Sequence, residues 1–198
     1  MNRVRAVLLT YMLPLIAALA VAIGYSQYGR AQGSTKLYLC KMPYALCTSA
    51  RCVPHPNPFH KNEAICSCDV EPAGPNMASV PCSQLQPTTI HGHRIIYSTY
   101  SFVQYFQGGK SMICPSGDPW TNCLDMRCTV DPFHPGKAIC ICDIMRSGEF
   151  TTVGGHCNTA TCKNAYWSGA TLPSYNAGNA FLVKALHLKK SPATFCDN

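Results

Sequence analysis

The chain repeats one cysteine framework, and this duplication constrains its fold more than any other feature. The first copy contains Cys47-Thr-Ser-Ala-Arg-Cys52, then Phe59-His60, then Ala64-Ile-Cys-Ser-Cys-Asp69. The second copy contains Cys123-Leu-Asp-Met-Arg-Cys128, then Phe133-His134, then Ala138-Ile-Cys-Ile-Cys-Asp143. Internal similarity of this kind indicates tandem copies of one small structural unit.

The N-terminus indicates export. A basic start, Met1-Asn-Arg-Val-Arg5, precedes an uncharged run from Ala6 to Gly24 and a polar stretch that reaches Ala31. This pattern is typical of a signal peptide, with Ala31 as a cleavage position, and also of an uncleaved membrane anchor. The sequence leaves both alternatives open for residues 1–31. Because the positive charge stays on the cytoplasmic side, both predict that residues 32–198 are periplasmic, secreted or membrane-anchored outside the cytoplasm.

The 14 cysteines of an exported chain are expected to form disulfides. Each copy has six cysteines, an even number that can pair internally, and we expect both copies to choose the same pairing among the many that are open. Cys162 and Cys196 have no counterparts in the first copy. If the six cysteines of each copy pair among themselves, these two are left over, which predicts a bond between them. The predicted disulfide residues are Cys40, Cys47, Cys52, Cys66, Cys68, Cys82, Cys114, Cys123, Cys128, Cys140, Cys142, Cys157, Cys162 and Cys196.

Local patterning predicts an α+β fold: two small disulfide-rich modules, at 33–110 and 111–198, each with a β-hairpin or small antiparallel sheet and one helix. Short segments rich in strand formers, 64–70 and 138–144, follow turn-forming prolines. Further strands are expected at 36–40, 88–97 with a bulge at Gly92, and 111–114. Helices are expected at 98–107, before a Gly-Gly stop, and near the C-terminus, where apolar residues recur around 181–186.

The second copy resembles a pattern found in exported cysteine-rich proteins of bacteria. The resemblance lies in Trp120-Thr-Asn-Cys-Leu-Asp-Met-Arg-Cys128, Asp131-Pro132 and Lys137-Ala-Ile-Cys-Ile-Cys-Asp143, and it extends to the first copy. It implies a secreted bacterial protein of a group without an assigned activity, and it implies no site residues.

Several residues could bind a metal, but each has a more economical structural interpretation. Zinc accepts Cys and His, yet the chain has Cys-x-x-x-x-Cys and Cys-x-Cys spacings rather than Cys-x-x-Cys knuckles. His60 and His134 repeat after phenylalanine, which favours a shared contact in a turn or hairpin. His91 and His93 would share one face of a strand, where a solvated strand edge is the favoured interpretation. We therefore predict no metal site and no cofactor.

Catalytic motifs are equally weak. Gly155-His156-Cys157 places a histidine beside a cysteine, but Cys157 is the counterpart of Cys82 and is better explained as half of a disulfide. The Cys-x-Cys pairs could exchange disulfides, although the βαβ pattern with Cys-x-x-Cys that is typical of such enzymes is missing. We predict no catalytic residue and no enzymatic activity.

Aromatic residues cluster twice, and we expect most of them in the core: Tyr97, Tyr100, Phe102, Tyr105, Phe106, Tyr166, Trp167 and Tyr175. The positive charge is scattered apart from Lys184, Lys189 and Lys190, which predicts a solvated helix end and no nucleic-acid binding. The favoured function is an extracytoplasmic, disulfide-stabilised structural or interaction protein with a protein or glycan partner, and with membrane contact only through an uncleaved N-terminus. The alternatives are an envelope metal-handling protein and a thiol–disulfide oxidoreductase.

Overall fold

The computed structural model describes residues 36–153, 157, 162–163 and 166–197. The predicted leader at 1–31 and His156 lie outside the described residues. Lys36–Asn198 form one compact unit. No helix within the described ranges has the length and apolarity needed to cross a membrane.

Short antiparallel strands make up most of the regular structure. The strands are β1 (Tyr38–Lys41), β2 (Tyr44–Leu46), β3 (Arg51–Pro54), β4 (Glu63–Glu71), β5 (Pro75–Ala78), β6 (Thr88–Ile90), β7 (His93–Tyr97), β8 (Ser111–Cys114), β9 (Trp120–Asn122), β10 (Arg127–Val130), β11 (Lys137–Met145), β12 (Phe150–Val153) and β13 (Tyr166–Trp167). The helices are α1 (Val103–Phe106) and α2 (Leu172–Ala185).

The largest sheet is symmetric about its two long strands, β4 and β11, except for β6, which has no counterpart among the described strands. Its order is β13-β3-β4-β11-β10-β7-β6, with β2 added to β4 and β9 added to β11. Two smaller sheets, β1-β5 and β8-β12, are also equivalent between the copies. The predicted hairpin in each copy is confirmed as β3-β4 and β10-β11.

The register of β4 and β11 relates the two copies by an approximate two-fold axis. Cys66 faces its own counterpart, Cys140, and the pairs on either side are exchanged counterparts, such as Ala64 with Cys142 and Cys68 with Ala138. Since paired residues of antiparallel strands point to the same face, this axis runs perpendicular to the sheet through the Cys66–Cys140 position.

Each copy also contributes its last strand to the other copy. Strand β7 pairs with β10, and β13 pairs with β3. The chain continues in the same way after both strands, because Ser98 bridges to Ala45 and Ser168 bridges to Thr121. The two repeats therefore share one hydrogen-bonded sheet.

The predicted α+β class with one helix in each module is wrong, since the structure is mostly β. Helix α1 has only 4 residues, whereas the prediction extended it over 98–107. The backbone of Thr99 bonds to Ala45, and that of Tyr100 bonds to Met77 in both directions, so the start of this segment is held extended. Helix α2 is the expected C-terminal helix; it has 14 residues and begins at a Thr171 cap.

Seven disulfides use all fourteen cysteines: Cys40–Cys82, Cys47–Cys68, Cys52–Cys66, Cys114–Cys162, Cys123–Cys142, Cys128–Cys140 and Cys157–Cys196. The two inner bonds of each copy match. The expectation that both copies use one pairing throughout is nevertheless wrong, because Cys40 bonds to Cys82 whereas Cys114 bonds to Cys162 and not to Cys157. The predicted Cys162–Cys196 bond is wrong as well. The prediction rested on an even number of cysteines and not on where they lie in the fold. Cys162 is buried beside Cys114, while Cys157 is exposed and lies next to the C-terminal tail.

The core beneath the large sheet is rich in cystine. The inward-facing residues of β4 and β11 are buried alanines and cysteines, followed in β4 by the half-buried Val70 and in β11 by the buried Ile144. Neighbouring disulfides touch, with Cys47 Sγ 3.5 Å from Cys140 Sγ and Cys123 Sγ 3.6 Å from Cys66 Sγ. The disulfides of this cystine layer link strands within each repeat, and the contacts between neighbouring disulfides pack the two repeats together across the axis.

Candidate functional sites

Two equivalent hairpin tips present phenylalanine to solvent. In the first, Asn57 Oδ1 accepts a hydrogen bond from the Phe59 amide at 3.0 Å. In the second, Asp131 Oδ1 accepts one from the Phe133 amide at 2.8 Å. The local turn is therefore set by the same side-chain device in both loops. Phe59 is 91 % exposed and Phe133 is 86 % exposed.

The repeated histidines hold the tips in shape. His60 Nδ1 lies 3.0 Å from Glu63 Oε2, and His134 Nδ1 lies 3.0 Å from Asp131 Oδ2. This confirms the predicted hairpin contact for both histidines. The amide of Phe133 and the ring of His134 lower the pKa of the Asp131 carboxyl, so this capping group stays charged.

Between the tips lies the outer face of the large sheet, defined here by Val53, Ile65, Ser67, Ile139 and Ile141. Ile65 pairs with Ile141 and Ser67 pairs with Ile139, which places these side chains on the face opposite the cystine layer. Ile139 is 40 % exposed, Ile141 is 38 % exposed and Val53 is 61 % exposed. An apolar surface is thus open to solvent.

Charged residues of both signs border this face. At one end Lys137 Nζ binds Asp69 Oδ1 at 2.5 Å. At the other end Glu63 pairs with Asp143 across the two strands, which places two carboxylates side by side. An apolar centre with a polar rim is the composition of a protein interface.

An axial cleft of about 230 Å³ opens where the two-fold axis leaves the cystine layer. Equivalent residues of the two copies line it in pairs, namely Cys47 with Cys123, Ser98 with Ser168 and Met77 with Thr151. The described lining residues include no charged side chain. The cleft is therefore an uncharged space that both repeats build.

Buried tyrosine hydroxyls form a network beside this cleft. Tyr105 and Tyr175 are counterparts, and their hydroxyl oxygens lie 2.7 Å apart, with Ser111 Oγ bonded to both. The Tyr100 hydroxyl donates to Asn179 Oδ1 and lies 3.4 Å from that of Tyr105. Burial raises the pKa of both Tyr100 and Tyr105, and the bonds to Ser111 and Tyr100 partly oppose that effect at Tyr105. Both hydroxyls therefore remain protonated donors.

A half-buried carboxyl links the repeats near the cleft. Asp125 Oδ2 accepts hydrogen bonds from the backbone amide and the hydroxyl of Ser79. Burial raises the pKa of Asp125, and the two bonds from Ser79 oppose that effect. Asp125 has a positive φ of 61°, a conformation that Asp and Asn tolerate better than most residues.

The cysteines do not form an open metal or redox site. Sulfurs of Cys47, Cys128 and Cys140 lie close together, as do those of Cys52, Cys66 and Cys123, but every one is in a disulfide. The Cys-x-Cys pairs are buried, and the two members of each pair are bonded to cysteines of different segments: one to strand β3 or β10, and the other to the residue that follows β2 or β9. Metal binding through cysteine and thiol–disulfide exchange both need an accessible thiolate, and the bonded, buried cysteines described here do not provide one.

The remaining sequence candidates lie apart from these sites. His91 and Gly92 form the two-residue turn between β6 and β7, both with positive φ, so the predicted bulge and the shared strand face of His91 and His93 are wrong. Cys157 is bonded to Cys196 and offers no nucleophile. Lys184, Lys189 and Lys190 are exposed at and beyond the end of α2, as expected.

The aromatic clusters are mostly core, as predicted, with Phe102, Tyr105 and Tyr175 buried; Phe106 is the exception, at 71 % exposure. Sequence reasoning noted Phe59 and Phe133 only as neighbours of histidines. Their repetition was the available signal, but exposure could not be known without the hairpin geometry.

Comparison with known protein families, with curated proteins and with solved structures finds no match to this chain. The resemblance to exported bacterial cysteine-rich proteins stays a prediction.

Proposed function

We propose that the protein is a non-enzymatic interaction module that acts outside the cytoplasm and binds a protein partner through its two phenylalanine tips and the outer face between them. The seven disulfides fit an oxidising extracytoplasmic environment and make the module rigid. A rigid binding surface loses little conformational entropy on association.

The repeated exposed phenylalanines carry this proposal. A phenylalanine that serves folding buries its ring, yet Phe59 and Phe133 are the two most exposed of the large hydrophobic residues described. Their loops differ in length and use different capping residues, Asn57 and Asp131. Both copies nevertheless retain Phe-His at the tip, which points to a contact that each tip makes with something else.

The surroundings of the tips favour a protein over a glycan. Phenylalanine supplies no hydrogen bond, and the exposed side chains at the centre of the outer face are Ile and Val, which have no polar handle. The Trp167 ring pairs with Arg51 at the edge of the sheet and is half-buried. A partner with an apolar ridge would cover Ile139 and Ile141, while a basic side chain could meet the Glu63–Asp143 carboxylates.

Site-specific photo-crosslinking in the exporting cell tests the proposal. A benzophenone amino acid replaces Phe59, Phe133 or, as a matched control, Phe106, which is also exposed but has no repeated counterpart. We expect positions 59 and 133 to give an adduct of the same mass with one protein, and position 106 to give none.

A second substitution makes the test specific. The adduct from position 59 should weaken when Phe133 is changed to Ser, because the two tips bind one partner, while Phe106→Ser should leave it unchanged. These surface changes should alter the free energy of unfolding by no more than about 0.5 kcal/mol. The proposal would be refuted by equal labelling from all three positions, or by an adduct from position 59 whose yield does not change with Phe133→Ser.

A further inference from the structure

We infer that the axial cleft binds a small, neutral aromatic molecule that carries a hydrogen-bond acceptor. The site is separate from the tips and the outer face, and it lies on the opposite side of the cystine layer.

The two repeats differ in side-chain size where they line the cleft. Met77 bridges to Tyr100 in the first repeat, and Thr151 bridges to Ala170 in the second. The large Tyr100 side chain therefore has only the methyl group of Ala170 as its counterpart. If this position served packing alone, the second repeat would carry a large side chain here as the first does.

Its size selects a molecule with one or two small rings. An apolar cavity of about 150 Å³ in another protein holds benzene. The 230 Å³ found here therefore suits a substituted benzene or a small bicycle. Met77, Met145 and Trp120 are among the lining residues, and thioether sulfur and indole both make favourable contacts with aromatic rings.

Its polarity selects a neutral molecule with an acceptor. The described lining carries no charge, so an ion would be desolvated without a partner. Two lining residues, Trp120 and Thr151, have a buried polar atom without a partner among the described residues: indole Nε1 and the hydroxyl Oγ1. Indole N–H can only donate, so the group that satisfies it must accept. Tyr100 and Tyr175 also line the cleft, but their hydroxyls are already bonded, that of Tyr100 to Asn179 and that of Tyr175 to Tyr105 and Ser111.

The test uses p-cresol as the neutral probe and 4-methylbenzoate as its charged comparator, added to the oxidised full chain. The readout is the indole N–H resonance of Trp120, with Trp167, the second of the 2 tryptophans and outside the lining, as internal reference. We expect a saturable shift of Trp120 with p-cresol, and binding of 4-methylbenzoate weaker by about tenfold or more.

Two variant pairs locate the binding. Ala170→Tyr copies the side chain of the first repeat and should weaken p-cresol binding by about tenfold or more, while Ala170→Ser should preserve it. Ser174 is exposed and lines the cleft, so Ser174→Trp should block the entry of p-cresol, while Ser174→Ala should leave binding unchanged. This second pair keeps the test decisive if Ala170→Tyr misfolds. The inference is overturned if Trp120 does not shift at about 10 mM p-cresol, if the anion binds equally well, or if a folded filling or blocking variant binds like the unchanged protein.

Discussion

The crossed disulfides at the C-terminus give a quantitative prediction. Cys157–Cys196 closes a segment with a sequence separation of 39, and Cys114–Cys162 closes one of 48 that overlaps it. In the chain-entropy model, a loop of this length loses about 13 cal/mol/K in the unfolded state, or about 4 kcal/mol at 25 °C. The overlapping bond offers no shorter path between Cys157 and Cys196, so the full loop length applies.

Replacing both cysteines by serine, C157S/C196S, should therefore lower the free energy of unfolding by about 4 kcal/mol and the melting temperature by about 10 °C. Little packing energy adds to this loss, because Cys157 is exposed. The tail should remain docked in the folded state through the backbone bonds of Ser111 to Thr194 and Cys196. Guanidinium and thermal unfolding, followed by circular dichroism, measure both quantities.

Thiol titration of the denatured, unreduced protein provides the control. C157S/C196S should expose no thiol, because its twelve other cysteines remain paired. C162S/C196S leaves Cys114 and Cys157 without their partners, so it should expose two thiols or form a new bridge that peptide mapping detects. The reasoning is refuted if the titrations come out reversed, or if C157S/C196S loses less than about 1 kcal/mol.

Three further results are expected. Burial raises the pKa of Tyr44 from 10.0 to about 12, so stability should fall as the pH rises through that interval, and Tyr44→Phe should remove this part of the alkaline decline in urea unfolding. The raised pKa of Asp125 contributes stability that is complete below its ordinary value of 3.8 and is lost as the pH rises through the folded-state pKa; D125N should abolish that loss, and identical pH profiles would contradict it. Gly169→Ala places a Cβ 2.7 Å from the Thr151 carbonyl oxygen and should cost about 1–3 kcal/mol in thermal unfolding, whereas an unchanged melting temperature would show that the backbone yields.

The local features of the fold could be predicted because they depend on neighbouring residues. Proline-bounded segments with Cys-x-Cys predict strands whose sulfurs share one face, and β4 and β11 have that arrangement. Thr171 and the apolar spacing after it likewise predict α2. The segment at 98–107 misled the prediction, because its backbone is held extended by β-bridges to the distant residues Ala45 and Met77.

The candidate sites were less predictable, since each depends on which residues meet across the axis. The sequence alone determined that two similar units exist and that the two sulfurs of each Cys-x-Cys pair share one face of a short strand. Only the tertiary structure decided that β4 and β11 pair, that the last strands are exchanged, and that Cys162 bonds to Cys114. The physical reason is that hairpins and caps involve residues close in sequence, whereas strand exchange, disulfide choice and a cleft between Tyr100 and Ala170 follow from packing between segments far apart in the chain.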